Sequence, residues 1–287
     1  MGIAKKDLQA ARCLLKEKLY AQAVFYLQQS VEKAVKSLGI WDGKITEVEA
    51  RSEIGHKTIR IYFRIFGETK DKLIAFEKAL LMFPDLRKLA FLDVSQVARL
   101  KRGIDAFRKE FSDENVALRI SSSERDLQDF LRKLRTLKEE LGNELTRIDK
   151  EFKELSANEK KSGDFKSKLS QVLEVGSQIR PIMAEGSTIE DVVDKSVSPE
   201  FIMILIGISK SMIRLSFCYQ SLLYSCLILY PHAARTRYPG DDFNPTDFYN
   251  ARAPLIQLLD NFIESTGGVL RELDLIYCEA PRFGKKR

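Results

Sequence analysis

Side chains that could contact a ligand are concentrated in one run of the sequence, from Gln28 to Lys36. Two amides, one carboxylate and two amines occur in this run, so it offers hydrogen-bond donors, acceptors and both signs of charge. Gln28, Glu32 and Lys36 are spaced four apart, which places them on one strip of a helix where Glu32 can pair with Lys36. The strip predicts a ligand-binding surface, with an ordinary solvated helix face as the alternative.

The helix that carries this strip is predicted by the apolar residues between the polar ones. These recur at helical spacing and should face the core: Val24, Leu27, Val31, Val35 and Leu38. Residues 7–38 therefore indicate a helical hairpin, which turns at about Leu19 and Tyr20. Asp7 is the candidate N-terminal cap of its first helix.

Further helices are predicted along the rest of the chain. A loop containing Gly43 and Gly55 leads to a helix from about Thr58, and another helix ends near Phe111. After a loop rich in turn signals, a final helix is expected from about Thr246. Residues 281–287 form a basic tail.

The segment 121–170 is rich in charged residues and carries a regular apolar seam. The seam positions step by three and four, as in a coiled coil: Leu127, Phe130, Leu134, Leu137, Leu141, Leu145, Ile148, Phe152 and Leu155. This pattern predicts a coiled-coil helix that packs against a partner chain or against an antiparallel return of the same chain.

Residues 201–230 are almost entirely apolar, with Lys210 and Arg214 as the only charged residues. These two charges divide the stretch into pieces too short for a membrane span, which needs about 20 apolar residues. We expect a long helix through the middle of a soluble bundle, and no membrane contact.

Composition limits the remaining choices. With 287 residues, 44% hydrophobic content, 8 prolines and 15 glycines, the chain favours an all-α fold with a sizeable core. The net charge of +6 allows contact with a polyanion without requiring it. Four cysteines without a C-x-x-C pair and only two histidines predict neither a metal site nor another cofactor. Since no apolar signal segment follows Met1, we expect a cytoplasmic protein.

The opening hairpin resembles the HEPN domain, a small helical bundle associated with nucleotides. The matching positions are Ala11, Leu14, Leu15, Tyr20, Ala23, Phe25, Gln28, Gln29, Glu32, Lys33 and Lys36. Gly55 and His56 are similar to a Gly-His step of that family, and residues 237–239 are similar to its R-Y-P turn before the last helix.

The resemblance implies a HEPN-like up-and-down helical bundle that is split along the chain. It covers residues 1–66 and 200–280, which leaves 67–199 as a helical insertion containing the coiled-coil segment 121–170. It further implies a nucleotide or RNA phosphate as ligand, a nucleotidyltransferase as partner, a role in a toxin–antitoxin or defence system, and pairing into a homodimer.

The resemblance also implies site residues. Many HEPN proteins are ribonucleases with an Arg followed four to six residues later by a His, and Arg51 and His56 satisfy that spacing. In such a pair the His takes the 2′-hydroxyl proton and the Arg stabilises charge on the phosphate, without a metal. The predicted ligand-binding residues are Glu32, Lys33, Lys36, His232, Arg235, Arg237 and Tyr238.

Structural roles are the alternatives for these residues. His56 could stabilise the start of the third helix, and Arg237 could stack on Tyr238 between two helices. The leading hypothesis is a non-catalytic nucleotide- or RNA-binding protein. The others are a metal-independent endoribonuclease, using Arg51 with His56 or His232 with Arg235, and an assembly or adaptor protein that recruits a partner through its coiled coil.

Overall fold

The computed structural model describes residues 1–82, 94–110, 123–157, 199–236 and 243–279. In these ranges every regular element is an α-helix: α1 (Gly2–Lys16), α2 (Tyr20–Trp41), α3 (Glu47–Ser52), α4 (Ile59–Met82), α5 (Val94–Glu110), α6 (Glu124–Ala157), α7 (Pro199–Leu229), α8 (His232–Arg235), α9 (Pro245–Phe248), α10 (Pro254–Gln257) and α11 (Leu259–Glu279). The predicted all-α fold class is confirmed.

The chain forms two compact units. The first contains residues 1–68, 105–141 and 214–287, and the second contains 69–104 and 142–213. The first unit thus includes residues 105–141 besides the two ends of the chain. The division into a bundle of 1–66 and 200–280 around an insertion of 67–199 stays a prediction.

The opening hairpin of the first unit agrees with the predicted turn. The chain reverses at Lys18, whose φ is 61°, and α2 begins at Tyr20. The predicted cap at Asp7 is wrong, because α1 begins five residues earlier, at Gly2. Asp7 lies inside α1, where it is buried and forms an ion pair with Lys33 of α2. The carboxylate therefore joins the two helices of the hairpin.

The core of the first unit is built around α2. Helix α1 packs against α2, and α11 packs against both, while the short helices α8 and α9 also contact α2. All five predicted core positions of α2 are buried: Val24, Leu27, Val31, Val35 and Leu38. Because α2 has neighbours on several sides, polar residues such as Gln28 and Glu32 are buried with them.

The predicted long apolar helix is present as α7. Its stretch from Ile206 to Leu229 is long enough and apolar enough to cross a membrane, judged by length and composition alone. Among the described residues, no other helix meets both conditions. Half of its most apolar window is buried inside the protein. The buried part lies in the first unit and includes Phe217, Leu222 and Leu229.

A single helix, α6, contains all nine positions of the predicted seam. Leu127, Leu134, Leu141 and Ile148 are buried, as is Leu131, which the seam did not include. The helical part of this prediction is confirmed for residues 124–157. The coiled-coil pairing stays a prediction, and residues 158–170 lie outside the described residues.

The second unit is held by ion pairs as well as by apolar packing. Lys101 lies 2.5 Å from Glu77, and Lys210 lies 2.6 Å from Asp149. Val97 is fully buried in this unit.

The expected final helix from Thr246 is wrong. The chain does start a helix there, because the side chain of Asn244 accepts a hydrogen bond from the Thr246 amide, but this helix is only one turn long. The helix ends at Phe248 because the backbone of Tyr249 leaves the helical region, with a ψ of 71°. A new turn begins at Pro254, because proline is well suited to the first position of a helix. The long terminal helix begins at Leu259.

Candidate functional site

The candidate site is centred on Glu32, a carboxylate whose side chain is only 5% exposed. Burial of an isolated carboxylate is costly unless donors replace the lost water. Besides a longer hydrogen bond from Nε2 of Gln29 at 3.3 Å, three side chains donate to it at 3.1 Å or less: His56 through Nδ1 at 3.0 Å, Lys36 through Nζ at 2.9 Å and Gln28 through Nε2 at 3.1 Å. Glu32 and these last three residues are called the Glu32 cluster below.

The protonation state of Glu32 follows from these contacts. Burial raises the pKa of its carboxyl group, but the hydrogen bonds from His56 and Lys36, together with the charge of Lys36, outweigh that effect. The pKa of Glu32 therefore lies below its ordinary value of 4.5, and the side chain is ionised at neutral pH.

Local backbone geometry brings His56 to the cluster. The Lys57 amide donates to the Ile54 carbonyl at 2.7 Å, which closes a tight turn around Gly55 and His56. Gly55 has a φ of +49°, a left-handed conformation that glycine adopts without steric cost. The turn is anchored because Ile54 before it and Thr58 after it are buried.

Helix α3, which precedes this turn, is itself fixed at both ends. Thr46 and Glu49 form a capping box at its start. Arg64 of α4 then pairs with Glu49 at 2.6 Å and with Glu53 at 2.8 Å. These contacts tie α3 to α4 and so define the position of the loop that carries His56.

The contact with Glu32 also determines the tautomer of His56. An ionised carboxylate can only accept hydrogen bonds, so Nδ1 of His56 must carry the proton that is shared with Glu32. In the neutral imidazole, Nε2 is then the acceptor. The His56 side chain is 58% exposed, so the cluster presents an oriented imidazole at the protein surface. A carboxylate that orients an imidazole in this way is the arrangement used in general acid–base catalysis.

Two other predicted residues lie near this region without joining the cluster. Arg51 is in the last turn of α3 and is exposed, and it forms no ion pair with any residue that the structure describes. Lys33 forms its ion pair with Asp7 of α1 instead of with Glu32. The structure therefore brings His56, Glu32 and Lys36 together and places Arg51 and Lys33 outside their hydrogen bonds.

The predicted residues of the last third form a separate group. His232 is buried and shares a 2.6 Å hydrogen bond between its Nδ1 and the hydroxyl of Tyr249. Burial, with a smaller effect of Arg235, lowers the pKa of His232 to about 4, so the imidazole is neutral at pH 7. Arg235 is exposed and its guanidinium lies 5.2 Å from the ring centre of Phe243. Arg237 and Tyr238 lie outside the described residues.

Some contacts around the Glu32 cluster and around His232 were not predicted from the sequence. No sequence pattern links His232 to its hydrogen-bond partner Tyr249, which is 17 residues away. Thr58, two residues after His56, lies 3.1 Å from the thiol of Cys226 on α7, and this contact ties the turn to the core. Burial raises the pKa of that thiol to about 12, so it is uncharged at neutral pH.

In the ranges that the structure describes, no group of three or more His, Cys, Asp or Glu side chains is placed to hold a metal ion.

Comparison with known proteins adds one finding for the segment that supplies most of this cluster. Residues 1–51 match the HEPN domain. The resemblance seen in the sequence is confirmed for this segment, called the HEPN segment below, which includes α1, α2 and most of α3. Searches of the curated proteins and of the solved structures return no match. Gln28, Glu32 and Lys36 belong to the HEPN segment, whereas His56 follows it by five residues.

Proposed function

We propose that this protein binds a nucleotide or RNA and that its ligand contacts the Glu32 cluster. The HEPN segment supports a nucleotide- or RNA-related function. The observation that carries the proposal is the buried, ionised Glu32, which holds the exposed imidazole of His56 in one tautomer. A purely solvated helix face would not need a buried carboxylate with four side-chain donors around it.

The free hydrogen-bonding groups of the cluster suit such a ligand. Lys36 has three ammonium protons, of which one is used by Glu32, so the others can reach a phosphate or a ribose oxygen. Nε2 of His56 accepts from a hydroxyl when neutral and donates to an anion when protonated. Because Glu32 neutralises Lys36, the cluster favours polar contacts with base and sugar as well as with phosphate.

Ligand titrations test this proposal. Wild-type protein should bind mononucleotides or short oligoribonucleotides in calorimetric or fluorescence-anisotropy titrations. Substitution of His56→Ala should weaken that binding about tenfold, since the loss of one hydrogen bond of about 1.4 kcal/mol corresponds to that factor. Lys6→Ala is the control for Lys36→Ala, because it also removes one positive charge, from an exposed lysine of α1. Unchanged affinity in both His56→Ala and Lys36→Ala would contradict the proposal.

A metal-independent endoribonuclease is the second candidate, and the geometry of His56 favours it specifically. With Nδ1 protonated towards Glu32, Nε2 of the neutral ring can take the proton of a 2′-hydroxyl as general base. Arg51 is the predicted partner for charge on the phosphate.

Cleavage assays distinguish the two candidates. RNA cleavage by the purified protein in EDTA that falls about 10²- to 10⁴-fold in His56→Ala would establish the nuclease. Arg51→Ala should then reduce the rate without removing binding. Cleavage that survives His56→Ala and is lost in His232→Asn would assign the reaction to the other predicted pair, His232 with Arg235. If the wild-type protein does not cleave in EDTA, the non-catalytic proposal stands.

We further propose a cytoplasmic protein that acts beside a nucleotidyltransferase in a toxin–antitoxin or defence system, as the HEPN resemblance implies. Pairing into a homodimer belongs to the same proposal, whereas an assembly or adaptor protein that recruits a partner chain through the 121–170 segment is the rival to it. Sedimentation analysis of the full chain tests the dimer, and a monomer at every concentration would contradict it. Neighbouring genes for a nucleotidyltransferase would support the pathway.

A further inference from the structure

A groove in the first unit, formed by one face of α6 and one face of α11, carries three basic side chains. Its volume is about 160 Å³. Arg135 and Lys138 are contributed by α6, and Arg271 is contributed by α11, more than 130 residues later in the chain. The groove does not include any residue of the Glu32 cluster.

The positive charge of the groove is not neutralised locally. Among the residues that the structure describes, none of Arg135, Lys138 and Arg271 forms an ion pair. Two carboxylates also line the groove, but Glu272 lies 3.2 Å from Arg214 and is balanced by it. Only Glu264 remains, so three cations face one uncompensated carboxylate, and the groove favours an anion.

Gly268 of α11 lines the groove beside Arg271. A Cβ atom at Gly267 would lie 3.5 Å from the side chain of Leu8 and 3.8 Å from Nη1 of Arg271, and one at Gly268 would lie 3.9 Å from Nη2 of Arg271. The guanidinium of Arg271 therefore extends back along α11 towards Gly268, on the side of the helix that lines the groove.

The size of the groove indicates which part of an anionic ligand it holds. Pockets that enclose a whole small molecule usually measure about 300–1,000 Å³, which is larger than this groove. A phosphate group is smaller, and arginine binds it through two parallel hydrogen bonds. Asn261 and Ser265 of α11 line the same groove and can donate to the same oxygens.

We propose that this groove binds the phosphate groups of an RNA strand. The inference rests on the proposed function only in taking RNA as the ligand, and it adds a second contact surface to the Glu32 cluster. Each basic side chain of the groove neutralises a backbone phosphate, so its contribution is independent of base sequence and decreases with added salt.

The test is the salt dependence of binding to a fluorescein-labelled oligouridylate, followed by anisotropy over a KCl series. The groove variant combines Arg135→Ala, Lys138→Ala and Arg271→Ala. Its slope of log affinity against log salt should fall in magnitude by about 2, since each phosphate contact on a single strand contributes about 0.7. At low salt its affinity should fall at least about tenfold.

A control variant removes the same charge away from the groove. It combines Arg12→Ala, exposed on α1, and Arg125→Ala, exposed on α6, with Arg252→Ala, exposed in the turn before α10. Its slope should stay close to that of the wild-type protein. Equal slopes for the groove variant and the control would overturn the groove proposal and leave the proposed function in place.

His56→Ala separates the two proposals in the same assay. Loss of salt-dependent binding in the groove variant with full binding in both His56→Ala and Lys36→Ala would support the groove and refute the role of the Glu32 cluster. A wild-type protein that binds no oligouridylate at low salt would overturn the groove proposal, whereas the proposed function falls only if mononucleotides do not bind either.

Discussion

The substitution Glu32→Gln tests whether the buried carboxylate organises the candidate site. Glutamine has nearly the same shape, but it carries no charge and presents an NH₂ group in place of one carboxylate oxygen. Its carbonyl oxygen can accept from either His56 or Lys36, whereas its NH₂ group then faces the other donor. The variant therefore removes one charge-assisted hydrogen bond and weakens a second.

The magnitude follows from these two contacts. A hydrogen bond to a charged group contributes about 1.5–3 kcal/mol to stability. The donors of this cluster are partly exposed, 58% for the His56 side chain and 19% for that of Lys36, so water replaces part of each lost contact. We expect the free energy of unfolding at pH 7 to fall by about 2 kcal/mol, at the lower end of this range.

The effect should depend on pH in a defined direction. The pKa of Glu32 is lower in the folded protein than its ordinary value of 4.5, so between these two values the unfolded chain binds more protons. The stability that Glu32 contributes is complete above pH 4.5 and is lost as the pH falls through the folded pKa. The difference between wild type and Glu32→Gln should therefore shrink in acid.

Urea unfolding followed by tryptophan fluorescence measures this difference. The single tryptophan, Trp41, ends α2 and belongs to the first unit, so its emission reports unfolding of the unit that contains the site. Glu139→Gln is the control, because Glu139 is exposed on α6 and should change stability by less than about 0.5 kcal/mol. A loss in Glu32→Gln that is equally large at pH 7 and pH 3 would refute the reasoning, as would no loss at pH 7.

Three further predictions concern other described positions. His232→Phe should lower the free energy of unfolding by about 1–3 kcal/mol, because it leaves the buried Tyr249 hydroxyl without its partner. Burial lowers the pKa of His232 to about 4, so the wild-type unfolding free energy should rise with pH from 4 to 6.5, and a urea series showing the same slope in the variant would contradict this. Gly55→Ala should cost about 1 kcal/mol because of its φ of +49°, and should displace His56; unchanged stability and ligand affinity would argue against it. Gly39→Ala should cost about 1–3 kcal/mol, since a Cβ atom there lies 3.2 Å from two isoleucine side chains, and a thermal melt unaltered by the change would show that the core can adjust.

Local patterns predicted much of the helical structure. The apolar spacing of α2 gave its buried face, and the spacing of Glu32 and Lys36 gave their ion pair, because both depend on helix geometry alone. The boundaries were less predictable. An Asp before an apolar run has the local signature of a cap, but the partner of Asp7 is 26 residues away on another helix.

The same limit applies to the candidate site. The Gly-His step was found in the sequence, and the structure places His56 beside Glu32, which is 24 residues earlier. Nothing in the local sequence shows that Glu32 would be buried instead of solvated, because that depends on neighbours of α2 drawn from the last third of the chain. For the same reason the pairing of His232 with Tyr249 could not be predicted.

The packing of α11 on α1 and α2 also affects synthesis of the protein. Lys5 of α1 pairs with Asp274 of α11, a separation of 269 residues. At about 5–20 residues per second, the ribosome needs roughly 10–45 s to complete α11 after α2 has emerged. During that interval the apolar face that α11 will cover is exposed to solvent. The core of the first unit is therefore completed only after nearly the whole chain has been synthesised.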